Sequence, residues 1–485
     1  MRDDDLRARL REANPWWRAA IDSDRLAWTS ADRTLSERAR HDLGYRSAIL
    51  ADLAAGPIAD NLVVLRGPRR VGKSAVLKDL VAALCARQDV SPWQVIYLPA
   101  DGFRARDLRR ALAVGRDLTR PAGAGRRRVW LVDEVTGVDG WAAELKYARD
   151  NTAVGDDTVV CTGSSNRSTA DAERHLAVGR AGSGTRRFRL LLPMTFGDVL
   201  ACTDPELPRP SPVDPWRVQT AEVAAVAAEY DTYVDQLDLA WQRYLESGGF
   251  PRAVAEYARD GQAGEAFLRD LEAWLRTDVD PDGPPESVPA LLRELHQRGG
   301  APLNRRNTAE AVGVHPSVLE RRLNRLVSTF AGLWCPRHDD RARPVAGSQA
   351  KLYLTDPLLA GLPSRLRAGT AQPDMTRLTE AMLAAALARA LDEREPGRWA
   401  AGDTIGYFRT GSGNEVDLAP VPVATPSGAA LTTPLESKWV SGGWRAEAKV
   451  IEARYGHGIV ATKTVTDTTH PTWAIPAPLL ALLLG

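Results

Sequence analysis

The stretch that decides the fold reads Gly67-Pro68-Arg69-Arg70-Val71-Gly72-Lys73-Ser74. The apolar run 61–65 precedes it, and a helical sequence that begins at Ala75, AVLKDLVAAL, follows it. A glycine-rich loop between a strand and a helix directs backbone N–H groups and the positive end of the helix dipole towards one place. The pattern therefore predicts a phosphate-binding loop in an α/β sheet.

The two residues that end this loop have separate expected roles. Lys73 is expected to reach the β- and γ-phosphates of a nucleotide, and the Ser74 hydroxyl to hold Mg²⁺. We therefore expect ATP and Mg²⁺ as cofactors. The residues expected to bind ATP are Gly67, Pro68, Arg69, Arg70, Val71, Gly72, Lys73, Ser74, Ala75 and, through the metal, Asp133.

Three later apolar runs predict further strands of the same sheet. They cover residues 94–98, 129–132 and 158–162, and helical sequence lies between them. Strands that alternate with helices form parallel sheets. The expected fold class of this region is therefore α/β with a parallel sheet.

Two carboxylates follow the run 129–132. Asp133 is expected to hold the metal through water, and Glu134 to orient and deprotonate the water that attacks ATP. The next run ends in hydroxyl side chains, in the sequence Thr162-Gly163-Ser164-Ser165. These hydroxyls either sense the γ-phosphate or form an ordinary turn.

Length, composition and charge exclude several classes of protein. A chain of 485 residues, 44% hydrophobic and 26% charged, predicts about three globular units and excludes a disordered protein. The apolar run 479–484 is too short to cross a membrane, and the charged N-terminus MRDDDLRARL is unlike a signal peptide, which favours a cytoplasmic location. The formal net charge is +1, so a nucleic-acid surface would have to be a local patch.

Lysine is rare in this chain, because 63 basic residues include only seven lysines. A lysine retained among so many arginines is favoured where a compact ammonium group is needed. The seven are Lys73, Lys78, Lys146, Lys351, Lys438, Lys449 and Lys463.

Breaks in the pattern divide the chain into five segments. Proline-rich sequence at 203–215 and at 278–287 marks two of the boundaries. The predicted segments are a helical leader (1–60) with a tryptophan packing anchor at 16–17, an ATPase core (61–203), a helical lid (204–280), a winged helix (281–362) and a C-terminal α/β domain (363–485).

The winged helix is predicted from residues 302–355. A short helix at 308–312, a turn, and a helix capped by Ser317 precede two β-like runs, 330–335 and 351–355, that a basic loop connects. Such a unit either contacts DNA, mostly at phosphates, or serves in packing or protein contact. The candidate phosphate contacts are Arg321, Arg322 and Arg325.

Taken together, the motifs resemble those of AAA+-type P-loop ATPases of bacteria and archaea that carry a C-terminal winged helix and a restriction-endonuclease-like, PD-(D/E)xK domain. The motifs that carry the resemblance are NPWW at 14–17, GPRRVGKS at 67–74, LVDEV at 131–135, Trp141 with Lys146 and Asp150, TGSS at 162–165, Gly179-Arg180, LLPMTFGDVL at 191–200 and GGFP at 248–251.

The resemblance implies an oligomer, expected to be a ring, in which one subunit supplies an arginine to its neighbour's nucleotide. Arg180 is the candidate for this trans-acting arginine. The sequence that follows it, AGSGTRRFRL, is basic and rich in glycine, so Arg186 or Arg187 is the alternative.

The C-terminal segment carries the E…D…ExK pattern of restriction-endonuclease-like nucleases. Glu380 lies on a predicted helix (376–391), Asp417 on a predicted strand (415–420), and Glu436 with Lys438 on another (435–440). The three carboxylates are the expected ligands of a divalent metal, and Lys438 lies on the same face of its strand as Glu436, where it can activate water or stabilise phosphate charge. An active nuclease, a DNA-holding pseudonuclease and an unrelated α/β module all remain open.

Two functions follow from these expectations. The first is an oligomeric, Mg²⁺-dependent ATPase that remodels or translocates DNA, possibly branched DNA, with a nuclease-like tail. The second is an ATP-controlled switch in a defence or toxin-regulation system, with a catalytically inactive tail. No membrane partner is expected.

Overall fold

The computed structural model describes residues 1–19, 24–123, 125–164, 188–367, 372–411 and 413–485. It contains two compact units, residues 1–192 and 193–485. The predicted leader and most of the predicted ATPase core belong to the first unit, whereas the lid, winged-helix and tail segments belong to the second. The five predicted segments are therefore parts of two folded bodies, which we describe one at a time.

A five-stranded parallel sheet forms the centre of the first unit. Its strands are β1 (Asn61–Arg66), β2 (Val95–Pro99), β3 (Val129–Asp133), β4 (Thr158–Gly163) and β5 (Phe188–Leu190), in the order β2-β3-β4-β1-β5. In this register Val160 of β4 lies opposite Val63 of β1 and Leu131 of β3. The side chains of β1, β3 and β4 are almost all buried, as expected for a parallel sheet. The predicted parallel α/β core is confirmed.

The described residues of the first unit contain seven α-helices, four of them in the predicted leader. They are α1 (Asp3–Ala13), α2 (Trp16–Ala19), α3 (Arg33–Ala39), α4 (Ala48–Ala55), α5 (Lys73–Ala86), α6 (Ala105–Leu118) and α7 (Trp141–Asn151). The indole N–H groups of Trp16 and Trp17 both donate to the carbonyl oxygen of Val95, at 2.9 and 3.0 Å. The leader is thereby fixed to β2, the edge strand, in the packing role predicted for the tryptophans.

The second unit contains twelve helices among its described residues. They are α8 (Phe196–Thr203), α9 (Ala221–Tyr230), α10 (Val234–Ser247), α11 (Pro251–Asp260), α12 (Glu265–Val279), α13 (Ser287–Gln297), α14 (Arg305–Ala311), α15 (Pro316–Ser328), α16 (Pro357–Leu366), α17 (Met375–Arg394), α18 (Arg445–Tyr455) and α19 (Ala477–Leu484). Across the described ranges, no helix combines the length and apolar character needed to cross a bilayer.

Helices α14 and α15 form a helix-turn-helix, which the antiparallel hairpin of β6 (Gly332–Cys335) and β7 (Lys351–Leu354) follows. One detail of the prediction is wrong, since His315 and not Ser317 caps α15. The His315 ring accepts from the Ser317 backbone N–H, and Pro316 is the first helical residue. Proline favours this first position because it has no N–H to leave unpaired.

A second sheet forms the core of the tail. Its strands are β8 (Gly406–Arg409), β9 (Glu415–Ala419), β12 (Leu435–Ser437), β13 (Gly458–Thr462) and β14 (Thr472–Pro476), in the order β14-β13-β12-β9-β8. The sequence did not indicate the separate hairpin of β10 (Pro422–Thr425) and β11 (Gly428–Leu431). Strand β12 ends at Ser437, so Lys438 lies just beyond it and not within a longer strand as predicted.

The long loop between β6 and β7 packs against the tail sheet. His338 N–H donates to the carbonyl oxygen of Tyr407 at 2.8 Å, and Tyr407 N–H donates to Pro336 at 3.0 Å. The Tyr407 hydroxyl also donates to the carbonyl oxygen of Gln349, at 2.6 Å. The predicted wing and the tail are therefore parts of one packed structure.

Candidate active site

The phosphate loop joins β1 to α5. Gly72 has a left-handed φ of +95°, which glycine adopts without strain, and α5 begins at the next residue. A Cβ atom on Gly67 would lie 1.8 Å from the carbonyl oxygen of Leu191, so only glycine fits there. Arg70 also has a positive φ, +69°. Such conformations persist only where the surrounding structure requires them, and they cluster at ligand sites.

Lys73 lies at the start of α5 with its side chain only 4% exposed. Its ammonium group donates to the carbonyl oxygens of Gly67 and Pro68, at 3.1 and 2.8 Å. It also lies 4.0 Å from Oε1 of Glu134. The first N–H groups of a helix have no partner within the helix, so the loop presents both these donors and an ammonium group to an anion.

The carboxyl end of β3 carries the two predicted carboxylates. The Thr162 hydroxyl on β4 donates to Asp133 and accepts from the Glu134 backbone N–H. The Ser164 hydroxyl donates to Oε2 of Glu134 at 3.2 Å. Glu134 itself has a left-handed φ of +53°. The structure thus brings the predicted hydroxyls of β4 onto both carboxylates.

These side chains fit a nucleotide with Mg²⁺. Ser74 is the second residue of α5, and Asp133 is buried at the end of β3. A hydroxyl and a carboxylate are the hard oxygen donors that Mg²⁺ prefers. Ser74 and Asp133 would hold the metal, which would neutralise charge on the β- and γ-phosphates. Glu134 lies where it can accept a proton from a water molecule beside Lys73.

Sequence reasoning missed Tyr97, the third residue of β2. Its hydroxyl donates to Oδ2 of Asp133 at 2.6 Å, within the buried core. The Lys78 ammonium group lies 3.8 Å from the centre of the Tyr97 ring and 3.1 Å from Asp32. Burial, followed by the charge of Asp133, raises the pKa of the Tyr97 hydroxyl, so it stays protonated and remains a donor. The rarity of lysine drew attention to Lys78, but it did not identify Tyr97 or Asp32 as its neighbours.

Arg180 and its alternatives, Arg186 and Arg187, lie outside the described residues, as does Ser165.

The four predicted nuclease residues lie on neighbouring elements of the second unit. The Asp417 backbone N–H donates to Oε2 of Glu436 at 3.1 Å, and the Ser437 N–H donates to Oδ2 of Asp417 at 3.0 Å. The Lys438 ammonium group lies 3.2 Å from Oε1 of Glu436. The structure therefore brings the E…D…ExK residues together as the sequence predicted.

A lysine that was given no role lies among these carboxylates. The Lys351 ammonium group, with a side chain 0% exposed, lies 3.1 Å from Glu380 Oε1, 2.6 Å from Glu415 Oε1 and 2.9 Å from Asp417 Oδ1. Burial by itself would lower the pKa of Lys351, but the charge of Asp417, followed by Tyr353, Glu380 and Glu415, raises it well above its ordinary value. Lys351 is therefore a charged ammonium ion.

The carboxylates do not fit a divalent metal in this arrangement. Within the described ranges, no group of three or more histidine, cysteine, aspartate or glutamate side chains is arranged to hold a metal ion. The predicted metal set of Glu380, Asp417 and Glu436 is corrected accordingly. Its physical reason is Lys351, because an ammonium ion already contacts Glu380 and Asp417. Burial and then the Asp417 charge raise the pKa of Glu436 to about 8.

The three predicted phosphate contacts on α15 are not equivalent. Arg322 is buried and pairs with the buried carboxylate of Asp280 at 2.6 Å, so its assignment as a phosphate contact is wrong. Arg325 is half-buried and donates to the carbonyl oxygen of Val279 at 3.4 Å. Arg321 is exposed. Arg321 is therefore the one side chain of these three that is exposed.

The GGFP segment lies in the second unit between α10 and α11. The Gly249 N–H donates to Oδ2 of the buried Asp356 at 2.8 Å, and its carbonyl oxygen accepts from Met194 N–H at 2.6 Å. Burial raises the pKa of Asp356 to about 6. These contacts give the segment a packing role within its own unit.

Models of known families match two parts of the chain. Residues 59–200 match the model of an AAA domain, and residues 238–368 match a domain of unknown function (DUF8612). Residues 59–200 are therefore similar to an AAA domain, in agreement with the parallel sheet and phosphate loop of the first unit. No curated protein matches the chain significantly.

Several solved structures are similar to the chain, and three of them are a Walker-type ATPase, an ORC1 protein and a RuvB variant. A Walker-type ATPase of Pyrococcus abyssi is 14% identical, with a TM-score of 0.38, over 62% of this chain and 91% of that one. The ORC1 protein of Aeropyrum pernix, solved in complex with DNA, is 14% identical, with a TM-score of 0.29, over 72% and 96%. A RuvB variant of Thermotoga maritima is 17% identical, with a TM-score of 0.27, over 62% and 89%. At these scores the likenesses carry no argument about function.

Proposed function

We propose that the protein is an oligomeric, Mg²⁺-dependent ATPase that binds and remodels or translocates DNA. The observation that carries the hydrolytic part is the phosphate loop, where Lys73 lies 4.0 Å from Glu134, while the Thr162 hydroxyl donates to the Asp133 carboxylate and accepts from the Glu134 backbone N–H. Lys73 and the α5 N-terminus bind the phosphates, and Glu134 takes the proton of the attacking water.

Steady-state ATP turnover, measured with and without duplex or branched DNA, tests this function. We expect DNA to raise turnover several-fold, because a motor couples hydrolysis to its track. Glu134→Gln is expected to bind ATP but not hydrolyse it. Wild-type turnover in Glu134→Gln would contradict the assigned base, and turnover that ignores DNA would contradict the motor.

The proposed DNA surface includes the exposed Arg321 on α15. Neighbouring arginines offer a matched pair of variants, because Arg321 is exposed and Arg322 is buried against Asp280. Arg321→Ala should lower the salt slope of DNA binding by about one and leave the fold unchanged. Arg322→Ala should destabilise the second unit instead. An unchanged slope in Arg321→Ala would mean that DNA binds elsewhere.

The oligomer would supply an arginine in trans, with Arg180 as the candidate. Mixing Arg180→Ala with Lys73→Ala subunits should restore some turnover if the arginine acts across a subunit boundary. No recovery at any mixing ratio would argue for a role within one subunit.

The second candidate function is an ATP-controlled switch in defence or toxin regulation, with a catalytically inactive tail. The ion-paired cluster around Lys351 favours its inactive tail. Slow ATP turnover that DNA does not change, together with a nucleotide-dependent change in assembly size, would favour the switch over the motor.

A further inference from the structure

Three carboxylates surround the Lys351 ammonium group. An ammonium group has three N–H donors. Lys351 Nζ has three carboxylate oxygens within 3.1 Å, one each from Glu380, Glu415 and Asp417. Glu380 Oε1 and Asp417 Oδ1 accept hydrogen bonds from the ammonium group, and Glu415 Oε1 makes a third ion-pair contact. An arginine, whose planar guanidinium carries its donors in a fixed fork, does not match three acceptors arranged around one atom.

The ammonium group is fixed in this position from two sides. Lys351 begins β7, where it pairs with Cys335 of β6. Tyr353 lies two residues later on the same face of the strand, and its hydroxyl donates to Oε1 of Glu380 at 2.6 Å. The hairpin therefore delivers a lysine and a tyrosine together onto α17 and β9.

Glu436, the third predicted metal ligand, makes contacts of its own. Glu436 Oε2 accepts from the Asp417 backbone N–H, and its Oε1 lies beside the Lys438 ammonium group. Asp417 Oδ2 accepts from the Ser437 N–H. A divalent metal would thus have to displace Lys351 and compete with hydrogen bonds that the fold already makes.

We propose that the Lys351 ammonium group is the resident cation of the Glu380–Glu415–Asp417 cluster and that it excludes divalent metal from the nuclease-like tail. The tail then does not cleave DNA, because the β6–β7 hairpin holds Lys351 among the carboxylates. This inference goes beyond the proposed ATPase function and does not depend on it.

Mn²⁺ binding to the full, nucleotide-free chain, followed by electron paramagnetic resonance, tests the proposal. Wild type should show no saturable Mn²⁺ site that depends on Asp417. Its Mn²⁺ titration should therefore match that of Asp417→Asn. Lys351→Met, which keeps an unbranched chain and loses the charge, should gain a saturable Mn²⁺ site, and adding Asp417→Asn should abolish it. Mn²⁺ should also raise the unfolding temperature of Lys351→Met but not that of wild type.

Lys438→Met is the matched control, because it removes the lysine that lies beside Glu436 and keeps Lys351. It should gain no Mn²⁺ site. The proposal is overturned if wild type binds Mn²⁺ through Asp417, or if wild type nicks DNA with Mn²⁺ and Asp417→Asn does not. It is also overturned if folded Lys351→Met gains no Mn²⁺ site, or if Lys438→Met gains one. Should Lys351→Met fail to fold, the comparison of wild type with Asp417→Asn still decides.

Discussion

The two compact units each bury a lysine, Lys73 and Lys351, but the two ammonium groups lie in opposite surroundings. Lys73 donates to two main-chain carbonyl oxygens of a loop built to receive an anion. Lys351 contacts three carboxylates. Carbonyl groups position an ammonium ion without cancelling its charge, so it still attracts phosphate. The carboxylates around Lys351 cancel the charge of its ammonium group, so Lys351 stabilises the folded structure.

This difference predicts different costs for removing each lysine. Without Lys73, the carbonyl oxygens that it leaves lie in a loop that opens towards a ligand. Without Lys351, three carboxylates remain close together inside the protein. Uncompensated buried charge is among the most destabilising changes a protein can suffer, whereas loss of a phosphate-binding group affects chemistry.

The largest effect is expected from Lys351→Met. Breaking a buried ion pair typically costs about 3–5 kcal/mol, so the free energy of unfolding of the second unit should fall by that order. Basal ATP turnover should survive, provided the measurement is made below the new unfolding temperature. Urea unfolding followed by tryptophan fluorescence measures the change.

Lys449→Met is the control for this loss, because Lys449 is an exposed lysine on α18. It should change stability by about 0.5 kcal/mol or less. Equal effects of Lys351→Met and Lys449→Met would show that the carboxylate cluster contributes nothing to stability.

The next effect is expected from Lys73→Ala, which tests the other side of the comparison. Loss of a donor that stabilises transition-state charge lowers turnover by about a hundredfold or more. Binding of a fluorescent ATP analogue should weaken as well, because the same ammonium group reaches the phosphates. Unfolding of the first unit should change by only about 1 kcal/mol. Near-normal turnover in this variant would refute the assignment of the loop.

Local patterns carried most of the information about the first unit. The phosphate loop, β3 and β4 were predicted correctly because each is a continuous stretch whose chemistry lies within it. Tyr97 was missed because its contact with Asp133 depends on which strands are neighbours in the sheet, and the sequence does not state this.

The second unit was harder because its important contacts are distant in sequence. Lys351 meets Asp417 only after the hairpin packs against the tail, across 66 positions of chain. Arg322 was predicted to contact phosphate, but it pairs with the buried Asp280, which lies far from it in sequence. The rarity of lysine was the one available signal for Lys351, and it did not identify the partners.

A moderate effect is expected from pH, through Glu436. Its pKa is raised to about 8 from an ordinary value of 4.5, first by burial and then by Asp417, so the folded protein keeps a proton that the unfolded chain loses. Between these two values, stability should therefore fall as pH rises, by at most about 1.4 kcal/mol per pH unit from this group. Urea unfolding at pH 5 to 8 measures the slope.

Glu436→Gln should remove this part of the slope, since an amide does not titrate. Glu447→Gln is the matched control, because Glu447 is exposed and lies 3.8 Å from the same Lys438. It should leave the slope as in wild type. A wild-type slope in Glu436→Gln would assign the dependence to other groups.

The smallest effect is expected from Tyr97→Phe, which removes one hydroxyl and keeps the ring that lies 3.8 Å from Lys78. Asp133 loses the donor on Oδ2 but keeps the Thr162 hydroxyl on Oδ1, so it should be less firmly oriented and not displaced. Loss of a partner that orients a metal ligand typically costs about 10- to 100-fold in metal affinity or activity, and the loss should be smaller here because Asp133 keeps the second of its two partners. We therefore expect the Mg²⁺ concentration for half-maximal turnover to rise a few-fold, with little change at saturating Mg²⁺. A purely structural role for Tyr97 would instead lower stability and leave the Mg²⁺ dependence unchanged, so titrating Mg²⁺ against turnover separates the two roles.

Tyr147→Phe is the control, because Tyr147 is an exposed tyrosine on α7. Loss of its hydroxyl should change neither the stability nor the Mg²⁺ dependence of turnover.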